Sequence, residues 1–299
     1  MKFFLNTSLA DFPIRQAPRA LLLCHGTFSS TQKAFANIID GSSLNELHKI
    51  YGDNIFAWDH FTLSKKPDQN ARDLLEKLKL LQHDEELKLD IICHSRGALV
   101  VRNLLENIDN QNALSDKRIS INKVIFVAGA CLGTQLAIPG NLNHIFRQLH
   151  ILSWFFGAST NFRAILAVIK LFILGVQKLP GIEAMDPSGL EISNLNAYQE
   201  KRHIVANEYL YIRANYDCEN AVWHYLEGLL DHDIFKDAGN DLVVPFEGAG
   251  SSRKYLQPPQ STELLDYGSE LKAQTAVHHI NFFDQCETRK SIVGFLKKK

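Results

Sequence analysis

The sequence predicts an α/β fold, a mainly parallel central sheet with helices on both faces, and three observations predict it. Short apolar runs rich in Leu, Ile and Val recur at residues 19–24, 54–58, 89–93, 121–127 and 208–214. Several of the stretches between them carry apolar residues at helical spacing, as Leu74, Leu75, Leu78 and Leu81 do. Strands alternating with amphipathic helices give parallel pairing, because each crossover helix returns the chain to the same end of the sheet. In addition, the runs end in small or polar residues, and the ligand site of such a sheet lies at the carboxyl ends of its strands.

Composition bounds the reading. The chain has 299 residues, 45% hydrophobic and 22% charged, enough for a large core. No linker divides it, so residues 1–299 are expected to form one domain. A net charge of −1 offers no concentration of Lys and Arg for phosphates, which argues against nucleic acid as a partner. The five cysteines, at positions 24, 93, 131, 218 and 286, are odd in number and scattered, and read as reduced residues. After Lys2 the apolar run Phe3-Phe4-Leu5 is too short for a signal peptide, and a cytoplasmic protein is expected.

Taken in order, Arg19–Cys24 is a buried strand that runs into His25-Gly26-Thr27-Phe28-Ser29-Ser30, and a helix is expected from Gln32 to Ile39. Asn54–Trp58 is the next strand, followed by a helix over Asn70–Leu81. The run Leu89-Asp90-Ile91-Ile92-Cys93 passes within two residues into a helical pattern carrying Leu99, Val100, Leu104 and Leu105, and Ser95 stands at the corner. A strand that turns into a helix this sharply strains the corner residue and lifts its side chain clear of the sheet; small neighbours such as Gly97 and Ala98 are then required. The pattern is that of G-x-S-x-G with Cys93 in the first glycine position. A serine that merely caps a helix is the plainer alternative.

Ile121–Val127 and Glu208–Ala214 supply further strands, and Leu271–Val277 reads as the last, with a closing helix over Asp284–Leu296. Residues 142–180 break the rhythm. They are unusually apolar, with Trp154, Phe155 and Phe156, but Lys170 interrupts the best window for a membrane span. Two helices are expected there, either as core or as a cap over the site that binds an acyl chain or touches a membrane surface.

A serine hydroxyl becomes a nucleophile at neutral pH only when an imidazole takes its proton and a carboxylate holds that imidazole in the right tautomer. Ser95, Asp241 and His279 occur in an order that suits this sheet, with Asp217 as the alternative acid and His278 as the alternative base. The cluster Asp231-His232-Asp233 with Asp237 lacks a further His or Cys at ligand spacing, so no metal is expected.

These stretches together resemble the α/β-hydrolases, in particular their lipase-like branch. His94-Ser95-Arg96-Gly97 is similar to its nucleophile turn and His25-Gly26 to its oxyanion loop. Residues 180–188 with Leu195-Asn196 resemble the segment after its cap. Asn240-Asp241-Leu242-Val243-Val244-Pro245 is similar to its acid loop and His279-Ile280-Asn281-Phe282 to its histidine loop. The resemblance runs from Arg19 onward. It implies acyl transfer with Ser95 as nucleophile, His279 as base and Asp241 as its orienting acid. Backbone N–H groups of Arg96 and of Thr27 or Phe28 would hold the oxyanion, and no metal or organic cofactor is needed. The implied substrate is a small-molecule ester with an apolar, lipid-like acyl group. A thioesterase or amidase would use the same residues, and a non-catalytic scaffold that binds a lipid or a partner is the reading from another class.

Overall fold

A computed structural model describes residues 2–4, 19–39, 41–81, 83, 85–138, 160–173, 178–197, 206, 208–217, 221–250, 261–268 and 276–298. Seven strands make one sheet: β1 (Lys2–Phe4), β2 (Arg19–Cys24), β3 (Ile55–Trp58), β4 (Leu87–His94), β5 (Ile119–Val127), β6 (Glu208–Ala214) and β7 (Ser261–Tyr267). Their spatial order is β1-β3-β2-β4-β5-β6-β7, with every neighbouring pair parallel. The chain builds outward from β2 to β3 and then jumps back to lay β4 on the other side of β2. The crevice of a doubly wound sheet opens at this reversal, above the carboxyl ends of β2 and β4.

Both faces of the sheet are buried, which is why its strands read as continuous apolar runs. Leu22, Ile91, Val124 and Tyr211 point to one face, where Leu74 and Leu78 of the helix Pro67–Leu78 and Leu104 of the helix Gly97–Glu106 pack on them. Leu21, Ile92, Ile125 and Ile212 point to the other, against Leu47 of the helix Ser42–Tyr51 and Phe295 of the helix Cys286–Lys297. Alternation along each strand thus divides the core between two helical layers.

One carboxylate interrupts this apolar sheet. Asp90 of β4 is fully buried, and its oxygens accept from Arg19 Nε and Tyr51 Oη, each at 2.6 Å, from Asn122 Nδ2 at 2.8 Å and from the Lys123 N–H at 3.0 Å. Four donors satisfy a charge that would otherwise be costly to bury, and they fasten β2, β4 and β5 at the end away from the site.

Differences from the sequence reading have local causes. The seventh strand is Ser261–Tyr267; of the segment expected to form it, 271–275 lie outside the described residues, while Ala276 and Val277 are not in a strand. The polar alternation Ser-Thr-Glu-Leu-Leu-Asp-Tyr hides a strand at the sheet edge. Phe35 splits the helix expected over 32–39 into Thr31–Ala34 and Ala36–Ile39. The strand Lys2–Phe4 and the helix Ser42–Tyr51 are additional. Of the expected cap over 142–180, residues 142–159 and 174–177 lie outside the described residues, and Thr160–Ile173 is a helix. No helix among the described residues is long and apolar enough to cross a membrane.

Candidate active site

Register brings the site together. Cys24 pairs with Cys93 and His94 with Val127, so β2, β4 and β5 end level and their next residues share one rim of the sheet. Ser95, the first residue beyond β4, has φ 56°, in the left-handed region that a side chain with Cβ enters only under strain. The strain is held by the backbone: the Ser95 N–H donates to Val127 O at 3.1 Å, while its carbonyl accepts from the N–H groups of Ala98 and Ala130. Glycine is needed on either side. A Cβ on Gly97 would lie 2.5 Å from the Cys24 carbonyl oxygen, and one on Gly26 would lie 2.6 Å from Ser95 Cβ. Cys93, by contrast, faces the core with Cys24 and Cys131, and its thiol donates to Ile125 O at 3.4 Å. The close approach that a first glycine would serve therefore falls on Gly26 instead.

The acid and the imidazole come from two later loops. Asp241 Oδ1 accepts from the N–H groups of Val243 at 3.0 Å and Val244 at 2.7 Å, so the turn that follows the carboxylate also aims it. Its other oxygen, Oδ2, lies 2.8 Å from His279 Nδ1, and His279 Nε2 lies 2.8 Å from Ser95 Oγ. A carboxylate can only accept, which puts the imidazole proton on Nδ1 and leaves Nε2 to accept the serine hydroxyl proton. The His279 N–H also donates to Asp241 O at 3.0 Å, fastening the two loops. All three side chains are buried. Asp217 is exposed, three residues beyond β6, and takes no part in this chain of hydrogen bonds. His278 is buried with its ring 6.0 Å from that of Tyr216.

The side chain of His94 carries a function that sequence reasoning missed. Its Nε2–H donates to the His279 carbonyl at 2.9 Å and its ring lies 5.0 Å from that of His279, so it braces the loop from beneath. Its position directly before the serine is the one signal the sequence offers. Burial, and then the neighbouring His279, push its pKa down to about 3. Arg96 is likewise more than a backbone donor: its buried guanidinium donates to Gly181 O at 3.1 Å and Lys65 O at 2.6 Å, tying two surface segments to the turn, and burial lowers its pKa to about 10. Arg96 is also the N-cap of the following helix, where an N–H has no intrahelical acceptor. Thr27 and Phe28, the latter with φ 57°, line the cavity together with Ser95.

That cavity, of about 420 Å³, opens above Ser95 and His279. Its floor is the sheet rim and its roof the helix Thr160–Ile173, which presents Ala164, Ala167, Val168 and Leu171, residues that share a helical face. Asp231 and His232 lie apart from it, and among the described residues no group of three His, Cys, Asp or Glu side chains could hold a metal ion.

A family model described as "Domain of unknown function (DUF7379)" matches residues 5–297. The chain belongs to that family. No curated protein matches its sequence. Among solved structures, a lipase of Bacillus licheniformis, BlEst2 in its mature form, aligns over 93% of this chain and 91% of its own at 16% identity, with a TM-score of 0.54. Phospholipase PlaB from Legionella pneumophila aligns over 94% of this chain and 60% of its own, at 16% identity and a TM-score of 0.55. A mutant form of YbtT, a type II thioesterase of the yersiniabactin pathway, aligns over 96% of this chain and 95% of its own at 13% identity, with a TM-score of 0.51. The fold is therefore that of the α/β-hydrolases.

Burial also sets how stability answers to pH. His278, by desolvation, is lowered to about 4, and His94 to about 3, against an ordinary value of 6.5. Between those values and 6.5 the unfolded chain binds protons that the folded chain does not, so stability falls as pH falls, by up to about 1.4 kcal/mol per pH unit for each such histidine. Urea midpoints measured from pH 6.5 down to 4.5 should decline less steeply in His278→Gln than in the parent; equal slopes would contradict it.

Proposed function

We propose that the chain is a serine hydrolase that cleaves carboxylic esters through an acyl-enzyme. The observation that carries this reading is the unbroken pair of 2.8 Å hydrogen bonds from Ser95 through His279 to Asp241, standing at the carboxyl edge of the sheet. Ser95 Oγ adds to the ester carbonyl as its proton passes to His279 Nε2. Asp241 keeps the imidazole turned and offsets the charge it gains. The tetrahedral oxyanion is met by the N–H of Arg96 and that of Thr27 or Phe28, each donor lowering the barrier by about 3 kcal/mol. The imidazolium then gives its proton to the leaving alcohol. Water, deprotonated by the same His279, opens the acyl-enzyme and returns Ser95 to its starting state. Every proton in this cycle moves through Nε2.

The roof favours a lipid-like acyl group, since Ala164, Ala167, Val168 and Leu171 offer it methyl and methylene surface. Lengthening an acyl chain within the cavity should raise kcat/KM by roughly fourfold per methylene, the value of about 0.8 kcal/mol of burial. The test is a series of para-nitrophenyl esters of rising chain length, each paired with the thioester of the same acid, with Ser95→Ala as the blank. Rates that climb with length and vanish in the blank support the reading. Rates equal to the blank at every length would overturn it.

A further inference from the structure

Among the described residues the cavity wall carries one cation. Lys33 lines it, from the short helix Thr31–Ala34 that follows the loop His25–Ser30. Apart from Lys33, the described lining is made of apolar side chains, Ser and Thr hydroxyls and the imidazoles of His94 and His279, with no Asp or Glu. His94, held to about 3, is neutral at physiological pH, so it does not compete for an anion.

The carboxylates of the surrounding elements are engaged elsewhere. Asp59 accepts from the Thr31 N–H at 2.6 Å and faces His25, and Asp284 accepts from Asn37 on the next helical turn. Among the described residues Lys33 forms no ion pair, and its backbone N–H donates to Ser30 Oγ at 3.4 Å.

A purely aliphatic substrate makes poor use of such a wall. Lys33 is exposed, so its ammonium stays hydrated when hydrocarbon fills the cavity and gains nothing from it, whereas a negative group on the substrate is drawn to a wall where no carboxylate of the described lining competes. Apolar surface on Phe28, Val168 and Leu171 remains for the rest of the molecule. We infer that the substrate is an ester or thioester bearing a negative charge, a carboxylate or a phosphate, which Lys33 holds while Ser95 attacks. This specificity rests on the serine-hydrolase reading above.

Two pairs of substrates locate the charge. In one, the anion is on the acyl part: mono-para-nitrophenyl glutarate against para-nitrophenyl pentanoate. In the other it is on the leaving part: butyryl glycerol phosphate against butyryl glycerol. The quantity read is the ratio of kcat/KM for the anionic to the neutral member, in the full chain and in Lys33→Gln, Lys33→Glu and Lys33→Arg. On at least one pair the ratio should fall about threefold in Lys33→Gln, the size of a solvent-exposed ion pair. It should fall further in Lys33→Glu and recover in Lys33→Arg, and added salt should shrink it. A ratio that Lys33→Glu leaves unchanged on both pairs overturns the inference. Loss of the underlying reading looks different: the neutral esters are then cleaved as fast by Ser95→Ala as by the parent, and the specificity falls with it.

Discussion

Replacing Ser95 by alanine is expected to lower kcat for ester cleavage by about 10⁴-fold or more while moving the thermal midpoint little. In the proposed cycle the hydroxyl supplies the nucleophile as well as one end of the hydrogen-bond chain, so its removal takes away the acyl-enzyme route itself. The backbone that holds position 95 is anchored by main-chain bonds to Val127, Ala98 and Ala130, none of which needs the side chain. Alanine meets the same left-handed strain as serine, and no new Cβ contact with Gly26 arises. Parallel measurement of kcat and of heat denaturation decides it: activity lost together with a large drop in midpoint would make Ser95 a structural residue.

Asp241→Asn is the second large effect. The substituted amide can keep its oxygen on the N–H groups of Val243 and Val244, so the turn should survive. Its NH₂ then points at His279 Nδ1, which must accept and can no longer carry the proton. The imidazole is driven into the other tautomer, with the proton on Nε2, and cannot take one from Ser95. A fall in kcat of about 10³- to 10⁴-fold follows, with KM little changed. The activity should recover partly at high pH, where hydroxide opens a route that does not need the imidazole. His278→Ala provides the contrast, since that ring lies toward Tyr216 and is not hydrogen-bonded to Ser95. A loss in His278→Ala equal to that in Asp241→Asn would reassign the base.

Much of this site is legible in the chain because it is built from strand ends. A buried strand announces itself by composition, and in a parallel sheet whatever follows it lands on one rim; Ser95 and His25-Gly26 follow β4 and β2 directly, so sequence order and spatial proximity coincide. Asp241 is harder to read, since it stands far beyond β6 and its aim depends on a turn with Leu242 at φ 74°. The seventh strand is hidden because an edge strand needs only partial apolar alternation. The contacts of His94 and the Arg96 guanidinium are long-range: each is defined by partners 30 or more residues away, as in the bond from His94 to His279, and local periodicity carries no trace of that.

The bracing by His94 explains why a histidine rather than an aliphatic residue precedes the serine. Burial keeps it neutral, and neutrality lets one ring nitrogen donate to the His279 carbonyl without placing a second positive charge beside the imidazole that the proposed cycle protonates. Trp58, His60 and His25 stack behind the loop on the opposite side, with ring centroids 4.7 and 4.3 Å apart, so the wall that bears Thr27 and Phe28 rests on a rigid base.

The central claim is that the Ser95 hydroxyl is activated by the imidazole beside it. Exposure of the folded protein to a fluorophosphonate, followed by mass mapping of its peptides, tests this most directly. The account predicts one phosphonyl adduct, on Ser95, formed rapidly in the parent and slowly in His279→Ala. An unmodified Ser95 in folded protein, or equal labelling rates with and without the imidazole, would contradict it.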